Sequence, residues 1–410
     1  MESNELKDKK ILILGFGREG QDTFKFLRKL FPKKVLGIAD MTEVKPLSSD
    51  KNIKWHLGKS YLSSIKDYDV IIKTPGIPFK ILPESSLDKI ITQTDIFFDN
   101  CPGTIIGVTG TKGKSTTASF IYQTLKKAGL KAHLIGNIGQ PVLSFLNEAE
   151  PQSIFVYELS AHQLYNLKKS PKIAILLNIY PEHLDYYRNF KEYAGAKSNI
   201  AKFQTKNDYL IYNSQDKEVG KIAKTSKAKK APIKGKYYEL DIAAAKAVAK
   251  IFKVPELKKF EFLPHRLEYV GKFKGIEFYN DSLSTIPETT IEALDFLGNE
   301  VQTLILGGFD RGLSFDGLAK RLLKSDIKTL ILFPTTGARI IKAIENFQFP
   351  ISNFQYFFVK NMATAVKLAY QHTGKDKICL MSPASPSFGI FKDYAERGNI
   401  FKKMVEKYHD

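Results

Sequence analysis

Gly107-Val108-Thr109-Gly110-Thr111-Lys112-Gly113-Lys114-Ser115-Thr116-Thr117 is the stretch on which the reading of this chain turns. It joins an apolar run, Thr104–Val108, to a segment of helical patterning, Thr116–Ala128. The glycines let the backbone bend so that successive N–H groups face phosphate oxygens, and the following helix N-terminus adds positive partial charge. Lys114 then reaches for the β- and γ-phosphates of a nucleotide, and Ser115 offers its hydroxyl to Mg²⁺. Gly110, Thr111, Lys112, Gly113 and Thr116 complete the predicted ATP cradle. The general pattern Gly-x-x-x-x-Gly-Lys-Ser/Thr is missed, because Gly107 stands six positions before Gly113 rather than five. The narrower form Gly-x-Thr-Gly-Thr-x-Gly-Lys, followed by three hydroxyl residues, is matched throughout.

Outward from this loop, apolar runs alternate with helical patterns in both directions. Lys10–Leu14, Val35–Ile38 and Val70–Lys73 precede it, and Ile154–Glu158, Ile173–Asn178 and Tyr209–Tyr212 follow. The rhythm resumes after Pro264 with Val301–Gly307, Thr329–Phe333 and Lys377–Met381. Such alternation predicts an α/β protein built on parallel sheets. Breaks near Asp99–Gly103 and Phe262–His265 divide it into three domains, residues 1–99, 100–262 and 263–410. The first is expected to be Rossmann-like and the second a P-loop ATPase sheet.

A length of 410 residues is too great for one ordinary core. The 43% hydrophobic and 26% charged composition is that of a soluble globular protein. Cys101 and Cys379 are the only cysteines, which supports neither a disulfide framework nor a structural zinc site and suits a reducing cytosol. Met1–Lys10 is charged and no run of 18 apolar residues occurs, so no secretion or membrane span is expected and the location is read as cytoplasmic. The net charge of +19 is lysine-rich and scattered. Its densest stretch, Lys221–Lys236, carries no recognition-helix or aromatic pattern and is read as a solvated loop, so no nucleic-acid partner is expected.

A second glycine turn, Gly15-Phe16-Gly17-Arg18-Glu19-Gly20, follows the first strand, with Asp40 twenty residues beyond Gly20. Taken alone this is a dinucleotide fingerprint and admits an NAD-dependent oxidoreductase. The same turn holds any diphosphate at a helix N-terminus.

Downstream of the ATP loop stand Gly136-Asn137-Ile138-Gly139, Tyr157-Glu158-Leu159-Ser160, Asn178-Ile179-Tyr180-Pro181-Glu182-His183-Leu184-Asp185 and Lys197. With the loop itself, these segments resemble the Mur ligase family. The resemblance implies that the first glycine turn takes the UDP group of a nucleotide-sugar substrate, through Gly15, Phe16, Gly17, Arg18 and Asp40 together with Thr74, Pro75 and Gly76. It implies that Asn137 meets the muramyl group, and that Ser115, Glu158, His183 and a carbamylated Lys197 hold two Mg²⁺ ions. His162 and His133 are read as structural.

Pro264-His265-Arg266-Leu267-Glu268 and Asn280-Asp281-Ser282 resemble family segments in which an arginine meets the γ-phosphate and an aspartate the ribose. Tyr238–Asp241 stands where the family contacts adenine, which makes Asp241 a candidate there. The run from Ser382 to Gly398 is similar to the C-terminal signature of the glutamate-adding branch, and that domain is expected to be Rossmann-like. The resemblance then implies that ATP drives amide formation between UDP-N-acetylmuramoyl-L-alanine and glutamate. Thr285, Arg311, Ser387 and Tyr394 are the candidates for holding the amino acid. Leu283 and Arg311 stand where the D-glutamate branch has lysines, so the D- and L-enantiomers both stay open, the latter implying a partner epimerase. A folylpolyglutamate-type ligase, an oxidoreductase and a non-catalytic descendant are the other readings.

Overall fold

A computed structural model describes residues 2–42, 50–137, 142–182, 186–235, 238–347 and 355–408. The chain forms two compact units, residues 1–260 and 261–410.

The first unit contains two sheets. β1 (Ile11–Leu14), β2 (Leu36–Asp40), β3 (Ile53–Leu57), β4 (Val70–Lys73) and β5 (Ile90–Thr92) form the first, in the order β3-β2-β1-β4-β5. Every pairing in it is parallel. β1 and β4 are buried throughout, as strands covered on both faces must be. The strand order reverses at β1, which opens a crevice at the carboxyl ends of β1 and β4.

β6 (Thr104–Thr109), β7 (Ala132–Gly136), β8 (Ile154–Glu158), β9 (Ile173–Leu176), β10 (Tyr209–Asn213) and β11 (Lys229–Ile233) form the second sheet, also parallel, in the order β11-β10-β9-β6-β8-β7. β6 lies between β8 and β9, so the loop after it emerges among the carboxyl ends of three adjacent strands. The lysine-rich stretch expected to be a loop is instead the end of a helix, Lys217–Thr225, and β11, an edge strand. Lys229 and Lys230 are exposed there, and lysine on an edge strand is a guard against unwanted pairing.

The second unit holds β12 (Glu268–Phe273), β13 (Ile276–Asn280), β14 (Val301–Gly307), β15 (Thr329–Phe333), β16 (Gln355–Phe358) and β17 (Ile378–Met381). Their order is β12-β13-β17-β14-β15-β16, with β12 antiparallel and the rest parallel. Adjacent β13, β17 and β14 bring Asp281, Ser382 and Gly308 to one edge. Among the described residues no helix is long and apolar enough to cross a membrane.

Candidate active site

The ATP loop leaves β6 and enters the helix Lys114–Lys127 through Gly113, at φ +85°. A Cβ there would lie 2.8 Å from Asp241 Oδ1, so this turn requires glycine for space as well as for conformation. Asn178, at the end of β9, clamps the loop: its Oδ1 accepts from Lys112 N at 2.7 Å and its Nδ2 donates to Lys112 O at 3.2 Å. Thr111 N donates to Asn178 O at 2.8 Å, and Thr111 Oγ accepts from Tyr180 N at 2.9 Å. Lys112 pairs with Glu182 at 3.0 Å.

Two lysine side chains converge on the loop. Lys114 Nζ donates to Gly110 O at 3.0 Å and Thr111 O at 2.9 Å, and Lys197 Nζ donates to Gly110 O at 2.8 Å. Lys197 lies on the helix Phe190–Lys202, whose buried stripe is Tyr193, Ala196, Lys197, Ile200 and Ala201. Only 1% of Lys197 is exposed, and burial first, then the neighbouring Lys114 charge, holds its ammonium well below the usual lysine range. Glu158, at the end of β8, is buried near this lysine, and Ser115 is half-buried at the helix start. His183 lies outside the described residues. Among the described residues no three His, Cys, Asp or Glu side chains gather as a metal site. The Ser115 hydroxyl and the Glu158 carboxylate are nonetheless hard oxygen donors of the type Mg²⁺ takes when phosphates complete its shell.

Asp241 is the residue expected at the adenine. It is 4% exposed and accepts from Thr117 Oγ, bracing the loop helix. Thr116 is fully buried.

The first glycine turn opens on a cavity of about 640 Å³. Gly15, Gly17, Arg18 and Asp40 line it on one side, and Thr74, Pro75, Gly76 and Asn137 on others. Phe16 contributes its backbone, donating to Asp40 Oδ2 at 2.7 Å, while its ring packs on Phe24 and Trp55. Burial opposes the Asp40 charge, but the Phe16 and Thr42 hydrogen bonds outweigh it and keep the carboxyl below its ordinary range. Sequence reasoning missed Tyr61, Met41 and Ile81, which add apolar wall. Glycine spacing gives no signal for such residues.

In the second unit, Asp281 is the residue expected at the ribose. It is 2% exposed, and it accepts from Ser284 Oγ, from Ser382 Oγ at 2.7 Å and from Leu267 N at 3.0 Å. Burial raises its pKa to about 6. Arg266 is half-buried in the turn that precedes β12. Arg311 lies over the Phe388 ring at 5.6 Å, next to buried Ser387. Thr285 is half-buried one residue after Ser284, and Tyr394 is 42% exposed, its carbonyl accepting from Ser282 Oγ at 2.7 Å. Arg397, absent from the expected site, is 1% exposed and binds Ser282 Oγ, Ser282 O and Ser385 O at 2.8–3.0 Å. It ties the β13 and β17 loops together.

A P-loop among parallel strand ends, beside a second glycine turn on its own sheet, defines a nucleotide-dependent α/β enzyme. Residues 108–274 match the family model of the Mur ligase middle domain. The chain is 31% identical to UDP-N-acetylmuramoylalanine–D-glutamate ligase of Acetivibrio thermocellus over 98% of this chain and 97% of that protein. It is equally identical, with the same coverage, to the protein of that name from Clostridium kluyveri. Its fold is similar to MurF ligase from Thermotoga maritima in complex with ADP, at TM-score 0.60 and 18% identity, covering 99% of this chain and 98% of that one. A pseudomurein peptide ligase type C from Methanothermus fervidus is similar at TM-score 0.56 and 18% identity, covering 98% of this chain and all of that one. The chain belongs to the Mur ligase family, a family of ATP-dependent ligases that builds peptidoglycan precursors.

Proposed function

We propose that this ligase joins glutamate to UDP-N-acetylmuramoyl-L-alanine in the cytoplasm, with ATP as the driving substrate. The single observation that carries the reading is the pair of cradles within one compact unit: the 640 Å³ cavity at the first glycine turn and the P-loop that Lys114 dresses. The first suits the UDP end of the substrate and the second the triphosphate. Relatives matched over 97% of their own length, named as D-glutamate ligases, supply the amino acid.

The substrate's alanyl carboxylate oxygen attacks the γ-phosphorus, the β,γ-bridging P–O bond breaks, and ADP leaves. The glutamate amine then attacks the acyl carbon, the C–O bond to phosphate breaks, and the amine releases a proton. Lys114 offsets charge on the transferring phosphoryl group, and the Asn178 clamp fixes the N–H array that receives it. Ser115 and Glu158 are the described residues that would hold Mg²⁺, with His183 the further ligand that the family resemblance implies; bound Mg²⁺ would supply neutralising charge to the phosphate oxygens. The uncharged Lys197 amine favoured by burial is the form that CO₂ carbamylates. The amine nitrogen attacks the CO₂ carbon, an N–C bond forms as one C=O π bond opens, a proton departs, and the neutral amine becomes an anionic oxygen ligand. Arg311, steadied on Phe388, presents a fork suited to a glutamate carboxylate, with Ser387, Thr285 and Tyr394 as further contacts.

Phosphate release from ATP with UDP-N-acetylmuramoyl-L-alanine, measured with D-glutamate and with L-glutamate separately, tests the reading. D-glutamate alone supports the ordinary branch. Turnover with L-glutamate alone makes Leu283 and Arg311 the marks of an L-adding enzyme that needs an epimerase after it. Silence with both refutes the glutamate assignment.

A further inference from the structure

The wall of the cavity beside Thr74 is held by two side chains from different places. Lys73 Nζ, from β4 itself, donates to Thr74 O at 2.9 Å and Ile77 O at 2.7 Å. The Tyr186 hydroxyl, from beyond β9 in the second sheet, lies 3.0 Å from both Pro75 O and Ile77 O. Both oxygens are acceptors only, so the phenol donates. Burial pushes its pKa above the ordinary tyrosine value, so it stays a donor at any physiological pH.

The same region of chain grips the P-loop. Asn178 holds Lys112, Tyr180 N donates to Thr111 Oγ, and Glu182 pairs with Lys112. Tyr186 follows four residues later. A second route runs through side chains. The Tyr186 ring stands 3.9 Å from the His162 ring, His162 Nδ1 meets Tyr187 OH at 2.8 Å, and Tyr187 packs edge-on to Tyr193 at 5.4 Å. The Tyr193 hydroxyl then reaches Thr111 Oγ at 3.1 Å.

We propose that Tyr186 is a positioning residue that couples occupancy of the cavity to the geometry of the phosphate loop. The inference rests on the reading above, in which the cavity takes the UDP compound and the loop takes ATP. A ligand seated against Pro75–Ile77 fixes the two carbonyls that Tyr186 serves, which restrains the ring stack through His162, Tyr187 and Tyr193 that ends on Thr111 of the loop. Because coupling between binding sites is reciprocal, an occupied loop tightens the cavity by the same factor. Lys73 lacks this function, since its hydrogen bonds reach only the loop directly after its own strand.

The test is calorimetric binding of UDP-N-acetylmuramoyl-L-alanine and of AMP-PNP with Mg²⁺ to the full chain, each alone and with the other saturating. In the native protein each compound raises the affinity of the other about fivefold or more, the usual scale of such coupling. Tyr186→Phe keeps the ring against His162 and removes the donor. It brings the coupling factor to within about twofold of unity while AMP-PNP alone binds as before. Lys73→Met weakens the UDP compound alone but keeps the coupling, which a merely structural loosening of the wall would not do. Native coupling retained in Tyr186→Phe, or lost equally in Lys73→Met, overturns the inference. Failure of the native protein to bind the UDP compound at all refutes the functional reading beneath it, which is a separate result.

Discussion

The two glycine turns follow one plan, a strand leading to a helix N-terminus, yet they are dressed with opposite charge. The turn at Gly15–Gly20 spends one of its N–H groups on Asp40 and begins its helix Arg18-Glu19, with an acid in the first turn. The loop at Gly110–Thr117 is clamped by neutral Asn178, begins its helix at Lys114 with no acid in the first turn, and receives Lys197 from across the sheet. A helix N-terminus alone attracts a diphosphate modestly; the added Lys114 ammonium makes a cradle for a triphosphate in a reacting, charge-accumulating state. The difference separates a site that binds from a site that does chemistry. It also weakens the dinucleotide reading, since both Asp40 oxygens already accept from Phe16 and Thr42.

The sharpest way to break this contrast is Lys114→Ala. Turnover is expected to fall about a thousandfold or more, as when a transition-state charge partner is removed. The affinity for UDP-N-acetylmuramoyl-L-alanine alone should stay close to native. Stopped phosphate release with unchanged calorimetric binding of the UDP compound is the signature, and retained turnover would show that the loop has been misassigned. Lys197→Met comes next. It fills the buried stripe but cannot be carbamylated, and a loss of about 100-fold is expected, in line with positions that support a metal. The native protein under ¹³CO₂ should show a carbamate resonance that Lys197→Met lacks.

Gly15→Ala tests the other cradle. Gly15 sits at φ +92°, and a Cβ would fall 2.1 Å from Thr74 Oγ. The substitution should weaken the UDP compound at least tenfold and destabilise the first unit by about 2 kcal/mol, from strain plus the clash. ATP binding to the second loop should change far less, and a thermal melt with and without AMP-PNP reads both effects.

Much of this was legible in the residues. The long apolar strands and both glycine turns announce themselves because fully buried parallel strands and left-handed turns constrain composition tightly. Lys197 carried an unread signal: it falls in register with Tyr193, Ala196, Ile200 and Ala201, a lysine on the apolar stripe of its helix. Other features were illegible for physical reasons. The partners that Asp241 and Asp281 take, Thr117 for one and Ser284 and Ser382 for the other, come from three-dimensional neighbours that no motif spacing shows. The hold of Tyr186 on Pro75 and Ile77 spans more than a hundred residues, a distance no local pattern encodes. Short edge strands such as β11 lack a continuous apolar run, so a lysine-rich stretch hides one.

The smallest expected effect concerns the acid that distinguishes the first turn. Burial raises the Glu19 pKa to about 7, with nearby Asp22 adding to the rise, while the Gln163 hydrogen bond and Lys73 oppose it. The folded protein thus holds this proton more tightly than the unfolded chain, whose value is about 4.5. Stability from Glu19 is fully present below the unfolded value, declines as pH rises between the two, and is gone above about 7. Glu19→Gln still accepts from Gln163 and does not titrate, so denaturant titrations at pH 5 and 7 should show a slope in the native protein that the variant lacks. At pH 8 the variant should be more stable by about 1 kcal/mol. Part of that gain is returned through Lys73, whose pKa burial already lowers to about 8 and which the Glu19 charge helps to keep protonated. Equal slopes would mean that Glu19 is solvated in the folded protein, and the first turn would then carry its full negative charge at neutral pH, sharpening the contrast between the two cradles.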